Sequence, residues 1–487
     1  MSANGILDVL IIGAGLSGID AAYHVQTKCR GRSYAILEAR SRIGGTWDLF
    51  RYPGIRSDSD VETLGFPFRK WTGERSIADG PAIRDYIEST AREFGIFEKI
   101  RFGTKAIEAR WSTPDALWTV ETETEQGARS TLKARFLYAC TGYYSYTEGH
   151  HPTWTGQERF RGEVIHPQFW PETFDTTDKR VVVIGSGATA VTLVPSLAEK
   201  AKSVTMLQRS PTYIVSRPAI DPYSKLIRKY LPTFLANPLV RLKNILYGIF
   251  VYQHARRKPD TTRAIILHLA KKELPRGFDT KKHLNPRYNP WDQRLCLAPD
   301  GDFFRSIREG KADIVTDEIE SFTETGLRLK SGHDLPADVV VTATGLKLQL
   351  VGGMRLVADG APVDLSQRFS YKGAMISELP NFAISIGYTN ASWTLKCDLT
   401  ARYVCRLLNY MASKRLAVVR PTIAGGSLES EGLLDLTSGY VQRSLASLPK
   451  QGKQKPWKLY QNYFRDWFSL GFGKIDDGVL EFSGAPK

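Results

Sequence analysis

Two glycine turns, each closing a short apolar strand and opening a helix, and a strongly basic stretch beyond the second of them predict an α/β fold: two Rossmann-like dinucleotide-binding domains with a helical insertion. The first unit reads Asp8-Val9-Leu10-Ile11-Ile12, then Gly13-Ala14-Gly15-Leu16-Ser17-Gly18, then a helix from Ile19 to Val25. A second apolar run, Ser33 to Leu37, ends in Glu38, 20 residues past Gly18, which completes a βαβ unit. The pattern returns as Arg180-Val181-Val182-Val183-Ile184, then Gly185-Ser186-Gly187-Ala188-Thr189-Ala190, a helix from Val191 to Lys200, and a strand Ser203 to Leu207 leading to Gln208-Arg209-Ser210.

The chemistry of these turns follows from their residue types. The first glycine permits the tight turn, the second lets backbone approach a pyrophosphate, and the third lets the helix pack on its strand, while the helix N-terminus stabilises phosphate charge. At the first unit, Gly13, Gly15, Ser17 and Gly18 form such a cradle, and Glu38 can accept both hydroxyls of an adenosine ribose. At the second, Gly185, Ser186, Gly187, Ala188, Thr189 and Ala190 form the cradle, and the matching strand end carries Arg209 and Ser210 with no acid. An arginine there pairs with a ribose 2′-phosphate that a carboxylate would repel, so NADPH is expected ahead of NADH.

Two later apolar strands, Phe136 to Gly142 and Val339 to Gly345, end in matching turns and return to close their nucleotide domains. The expected division is a first part of one nucleotide domain over 1–150, a linker over 151–175, the NADPH-binding domain over 176–330 with a basic helical insertion at about 218–290, and 331–487 as the second part of the first domain with the C-terminal region.

Composition excludes several classes. The five cysteines include no C-x-x-C, so a disulfide framework, zinc ribbon or dithiol centre is not expected, and no metal site is read. No apolar stretch is long enough to cross a bilayer and no leader precedes the first strand, which makes the cytoplasm the default location. Between Lys225 and Arg287 there are 15 Lys and Arg against Asp260, Glu273 and Asp279, a local charge of 15 − 3 = +12. Leu239 to Tyr252 mixes apolar and basic residues within that segment. Two readings stand: a helical subdomain with a solvated basic face, or a peripheral contact with an anionic membrane. Nucleic acid is not expected as a partner, because no recognition motif accompanies the charge.

Gly44-Gly45-Thr46-Trp47-Asp48 and Arg51-Tyr52-Pro53-Gly54-Ile55-Arg56-Ser57-Asp58 follow Glu38 as a loop that by composition is an ordinary rigid one. Phe160-Arg161-Gly162-Glu163-Val164-Ile165-His166-Pro167-Gln168-Phe169-Trp170-Pro171, between the two glycine motifs, resembles the F-x-G-x-x-x-H-x-x-x-W-P fingerprint of type I Baeyer–Villiger monooxygenases. With Asn289-Pro290-Trp291-Asp292-Gln293-Arg294-Leu295-Cys296 and Gly387-Tyr388-Thr389-Asn390-Ala391-Ser392-Trp393-Thr394, nearly the whole chain resembles the ethionamide-activating branch of that family.

The resemblance implies FAD at the first unit, NADPH as electron donor, O₂ as co-substrate, and a ketone, sulfide or thioamide as substrate, with oxygen inserted into ketones to give esters or lactones. Carried over by motif, Arg294 is the active-site arginine and Asp58 the acid beside it, while Thr46, Trp47, Asp48, Arg56 and Ser57 belong with Asp58 to the flavin loop. His166 and Trp170, in the linker, are expected to couple the domains, with direct catalysis the alternative role for His166. Many family members carry Lys-Arg where this chain has Gln293-Arg294, which leaves more of the 2′-phosphate to Arg209 and Ser210. A monooxygenase acting mainly on sulfur or nitrogen, and a non-catalytic membrane-bound flavin sensor, are the alternatives. Branch members are often found with membranes, which strengthens the second reading of the insertion. The residues leave the oligomeric state open.

Overall fold

In the computed structural model of the protein, residues 5–425, 428–434 and 436–484 are described. The strand Ile6–Ile12 is nearly buried throughout, as its unbroken apolar run requires. It lies between Tyr34–Leu37 and the C-terminal half of Arg129–Ala139, all parallel, and Ile100–Arg101 and Phe382–Ile384 extend the layer at either side. The N-terminal half of Arg129–Ala139 pairs antiparallel with Leu117–Thr124, which pairs in turn with Thr104–Ser112. In Leu117–Thr124 burial alternates, with Trp118, Val120 and Thr122 inside, as a strand covered on one face must do. Helix Leu16–Lys28 packs against Trp393–Ser413, so the C-terminal third of the chain covers the first unit.

The second unit repeats this plan. Ala312–Thr316, Ser203–Gln208, Arg180–Ile184, Val339–Thr342 and Glu163–Ile165 form a five-stranded parallel sheet, with an antiparallel ribbon over Ile319–Thr323, Gly326–Leu329 and Asp334–Pro336. The boundary expected at 330 therefore falls inside this unit, because Val339–Thr342 is paired between Arg180–Ile184 and Glu163–Ile165. The segment expected as a linker carrying the fingerprint over 151–175 contains one of its strands, and the fingerprint supplies it: Glu163–Ile165 lies within the F-x-G-x-x-x-H run.

The two glycine turns differ at one decisive point. Gly13, at φ +104°, leaves space for a Cβ only 2.6 Å from the Cys140 carbonyl oxygen, and Gly185, at φ +133°, only 2.3 Å from that of Ala343. Each first glycine thus abuts the end of its own returning strand. A Cβ on Gly18 would lie 1.8 Å from the Gly13 carbonyl oxygen, whereas the equivalent Ala190 is accommodated and buried. The first helix sits closer to its turn than the second.

The insertion leaves the second unit after strand Ile214–Arg217 and returns as Cys296–Pro299, and these two strands pair in parallel, pinning both ends. Between them run helices Pro222–Tyr230, Thr233–Arg257, Pro259–Glu273 and Thr280–His283. The expected solvated basic face is not what part of this subdomain presents. Arg241 donates to the carbonyl oxygens of Glu62 and Gly65 at 2.6 and 2.9 Å, Arg228 pairs with Glu62 at 2.5 Å, and Lys243 pairs with Asp221. Arg228 and Arg241 turn toward the first unit, which offers them acceptors, Lys243 pairs within the insertion, and large apolar side chains of the same helices face outward. Among the described residues, no helix is long and apolar enough to cross a membrane.

Gly18→Ala is expected to prevent stable folding or to lower stability by about 3 kcal/mol or more, because the clash is with backbone and cannot be relieved by a rotamer change. Ala190→Gly is expected to cost only about 1 kcal/mol. Thermal denaturation of both variants compares them directly; equal effects would show that the two helices are seated alike.

Candidate functional site

At the first turn, Gly13, Gly15, Ser17, Glu38, Thr46 and Trp47 line a cavity of about 480 Å³. Glu38 is buried at the strand end, and its two oxygens accept the backbone N–H groups of Ala14 at 2.8 Å and Arg40 at 3.0 Å. Burial raises its pKa and those two donors pull it back. A Cβ on Gly45 would lie 3.0 Å from Gly15 Cα, so the two glycine loops meet face to face and keep the backbone bare on both sides of the cavity. A deep slot of bare amides with a carboxylate at its far end fits an extended dinucleotide.

Other residues of the loop have different surroundings. Asp48 is buried and held by Arg40 at 2.7 Å and Arg51 at 3.1 Å. Arg56 pairs with Asp302, and Ser57 is buried with its hydroxyl accepting the Ser59 amide at 2.9 Å. Asp48, Arg56 and Ser57 do not line this cavity. Tyr52 is buried with a side-chain hydrogen bond to Thr189, and a Cβ on Gly54 would lie 2.9 Å from Ser196 Cβ, so the loop rests on the second nucleotide helix.

Arg294 lies at the border of a second cavity, of about 580 Å³, with Asp58 on the same wall. The Arg294 Nε is 3.8 Å from an Asp58 carboxylate oxygen, and its Nη1 donates to the Thr389 carbonyl at 3.1 Å. The two side chains are 34% and 24% exposed, toward the cavity they line. Burial opposes the guanidinium charge, but Asp58 and then Tyr143, Tyr440 and Tyr144 outweigh it and hold the pKa above its ordinary value. Burial raises the Asp58 carboxyl, and Arg294 and Arg56 counter it.

Tyr143, Tyr144 and Trp393 line the first cavity while Ser392 and Leu395 line the second. Trp393 stacks on Tyr143 at 4.7 Å and donates from Nε1 to Ser17 Oγ at 3.0 Å. This segment is the partition between the two spaces, and Arg294 senses its tyrosines. Much of the second cavity is walled by the insertion, through Ile245, Ile249, Phe250, Tyr252 and Ile266. No sequence pattern singled out Tyr143 or Ile266; Trp393 lay in a motif quoted for the family resemblance and Ile245 to Tyr252 in the basic amphipathic stretch, but neither pattern assigned them to a cavity wall.

At the second turn, a Cβ on Gly187 would meet nothing within 4 Å, which leaves its backbone open. Ser186 Oγ donates to the Ser210 carbonyl at 2.9 Å, joining the turn to the strand end that carries the exposed Arg209. Ala188 and Thr189 begin the helix Ala188–Leu197. His166 is buried, its ring against the Gly149 backbone and 4.6 Å from the His151 ring, with Nδ1 accepting the Gln168 amide at 3.2 Å. Trp170 is buried in the core of the second unit. Among the described residues, Asp20, His24 and Asp398 are close enough to share a cation, but the His24 Nε2 to Asp398 contact of 2.7 Å already pairs two of them.

The family described as Flavin-binding monooxygenase-like matches residues 76–256, and that described as NAD(P)-binding Rossmann-like domain matches residues 11–72. The FAD-containing monooxygenase EthA of Mycobacterium tuberculosis is 54% identical over 481 residues, 99% of this chain and 98% of that protein. The chain belongs to the FAD-containing monooxygenase family. EthA of Mycolicibacterium smegmatis is 51% identical over 477 residues, covering 98% of this chain and 97% of that one. Among solved structures, an oxidized steroid monooxygenase bound to NADP aligns with a TM-score of 0.76 at 21% identity over 98% of this chain and 100% of that one. Cyclohexanone monooxygenase aligns at 0.75 and 20% over the same shares. The motif resemblance to the ethionamide-activating branch thus holds along the whole length, and with this membership the chain is an oxidoreductase. The non-catalytic sensor is set aside by the same membership.

Burial, and then His151, lowers the His166 pKa to about 4, so in this monooxygenase the imidazole is neutral at neutral pH. The folded pKa lies below the ordinary 6.5, so between pH 6.5 and about 4 the unfolded chain binds a proton that the folded one excludes. Stability from this group is complete above pH 6.5 and falls on acidification by up to about 1.4 kcal/mol per pH unit. His166→Asn should show a shallower loss across that window in chemical denaturation, and parallel slopes would place the proton-excluding group elsewhere.

Proposed function

We propose that the protein is an NADPH-dependent Baeyer–Villiger monooxygenase that inserts one oxygen atom of O₂ into a ketone to give an ester or lactone. The observation that carries this reading is the Asp58–Arg294 pair, set in the wall of an apolar cavity and separated from the glycine-lined slot by Tyr143 and Trp393. The glycine turn Gly13 to Gly18, Glu38, Thr46 and Trp47 would hold FAD, which supplies the reduction of O₂ and delivery of one of its atoms. Asp48 acts through Arg40 and Arg51, shaping the loop without lining the slot, and Arg56 and Ser57 likewise serve the loop. Gly185 to Ala190 would hold the NADPH pyrophosphate, with Arg209 and Ser210 at its 2′-phosphate.

The chain's own residues divide the remaining work. Arg294 stays charged and presents a rigid fork of donors, suited to negative charge developing on a carbonyl oxygen. Asp58 positions that fork and offsets the cost of burying it. The apolar walls exclude water, which strengthens the guanidinium's hold on that oxygen. His166 and Trp170 join the second sheet to the strand Tyr144–Gly149 and so couple the two units. The outward apolar side chains of the insertion, in a segment of charge 15 − 3 = +12, support peripheral contact with an anionic membrane.

Turnover with NADPH under ¹⁸O₂, on a mixed panel of ketones and sulfides, tests the reading. One ¹⁸O atom should appear in an ester, and NADH should support distinctly less product. Label in sulfoxides with no ester from any ketone would assign the site to heteroatom oxygenation, and no labelled product from any substrate would overturn the reading.

A further inference from the structure

A sequence without C-x-x-C offers no reason to expect a dithiol centre, yet the fold brings Cys29 and Cys405 together across 376 residues of chain. Both are buried. The Cys29 thiol donates to the Cys405 carbonyl oxygen at 3.7 Å and accepts the Cys405 S–H. Cys29 closes the helix Leu16–Lys28 and Cys405 lies within Trp393–Ser413, so the pair sits where the first nucleotide unit meets the helix that covers it.

The two thiols differ in the way that disulfide formation needs. Hydrogen bonding from Cys405 lowers the Cys29 thiol pKa; burial opposes it, and the charges of Arg32 and Lys28 add to the lowering. The same contact, and then burial, keep Cys405 protonated. Burial also raises the thiols of Cys140, Cys296 and Cys397, which leaves those three inert. A thiolate is the form that attacks a peroxide, and a second thiol in contact with it resolves the product. Cys29 is flanked by the exposed Lys28 and Arg30 at a helix end, a place that opens locally while the core stays folded, so a small oxidant reaches it.

We propose that Cys29 and Cys405 form a peroxide-sensitive modification site, whose disulfide fastens the covering helix to the first nucleotide unit. The Cys29 thiolate attacks one oxygen of hydrogen peroxide and the O–O bond breaks. That oxygen stays on sulfur as a sulfenic acid, and the other leaves as hydroxide, which takes up a proton to become water. The Cys405 thiol then displaces the sulfenic oxygen, which leaves as a second water. Two thiols lose two electrons and one peroxide gains them. Hydrogen peroxide is what reduced flavin and O₂ yield when no oxygen atom is transferred, so the oxidant arises on the protein itself. The bond reinforces contacts that run along both helices: Ser17 with Cys397 and Trp393, His24 with Asp398, and the Lys28 carbonyl with Asn409. Ser17 lines the FAD slot, so fixing the far end of its helix opposes loss of FAD.

The FAD-loaded full-length protein, treated with a small excess of hydrogen peroxide and then unfolded in N-ethylmaleimide, should carry three adducts where the untreated protein carries five. Peptide mapping should find Cys29 joined to Cys405 by a bond that dithiothreitol removes. The oxidised protein should release FAD at a midpoint several degrees higher, and reduction should reverse the shift. Cys405→Ser should form no disulfide and should leave a sulfenic acid on Cys29 that dimedone traps, with an FAD-release midpoint indifferent to peroxide. Wild-type protein that keeps five reactive thiols after peroxide, or that pairs through any other cysteine, overturns the site. A Cys29–Cys405 bond with unchanged FAD release overturns the clamp. The thiol count is read on the wild type, so it decides even where Cys405→Ser fails to fold.

Discussion

A guanidinium drawn partly out of water needs a counter-charge and acceptors, and much of this architecture meets that demand for Arg294. Its carboxylate comes from Asp58, at the end of a loop that begins in the first nucleotide unit and crosses to the second. Its acceptor carbonyl comes from Thr389, four residues before the helix Trp393–Ser413 that covers the first unit. Arg294 itself stands two residues before the strand Cys296–Pro299, whose pairing with Ile214–Arg217 closes the insertion. Two distant segments converge on this side chain, and a shift between the two units would strain both contacts. A partly buried ion pair of this kind adds little net stability, because desolvation offsets the attraction.

Around that point the two nucleotide units repeat one plan with different tolerances. Each first glycine is pressed against the end of its returning strand, by Cys140 in one case and Ala343 in the other. The first unit then tightens further, with Gly18 against Gly13 and Gly45 against Gly15, so that bare backbone lines its slot. The second keeps Ala190 and an open Gly187, with Arg209 exposed. A tightly built slot suits a resident cofactor and an open turn suits one that must come and go.

The local features were legible in the sequence because they depend on near neighbours: apolar runs, glycine spacing, and the residue at each strand end. Pairing among distant strands was less so. Val339–Thr342 was read as a strand returning to close its nucleotide domain, and its pairing beside Val181 and Glu163 bears that out, so that the boundary drawn at 330 falls short of it. Asp48, Arg56 and Ser57, carried over with the flavin loop by motif, have side chains that engage Arg40, Asp302 and Ser59, partners that no local pattern identifies. The insertion is basic as its sequence indicates, but charge counted along a sequence does not say that Arg228, Arg241 and Lys243, unlike the exposed Lys225, Lys229 and Lys271, engage acceptors of the protein. Tyr143 and Trp393 are 250 residues apart in the chain and were invisible as a partition until they stacked.

The central claim is that Arg294, held by Asp58, serves oxygen transfer and not the binding or reduction of the cofactor. A double-mutant cycle on ester formed per NADPH consumed, with flavin reduction followed separately, tests it most directly. In Arg294→Ala, ester formation should fall by about 100- to 1,000-fold while NADPH still reduces the flavin. Asp58→Ala should show a smaller loss that disappears when Arg294 is already absent, because an orienting carboxylate has nothing left to orient. Additive losses from the two substitutions, or ester formation by Arg294→Ala near the wild-type rate, would contradict the account.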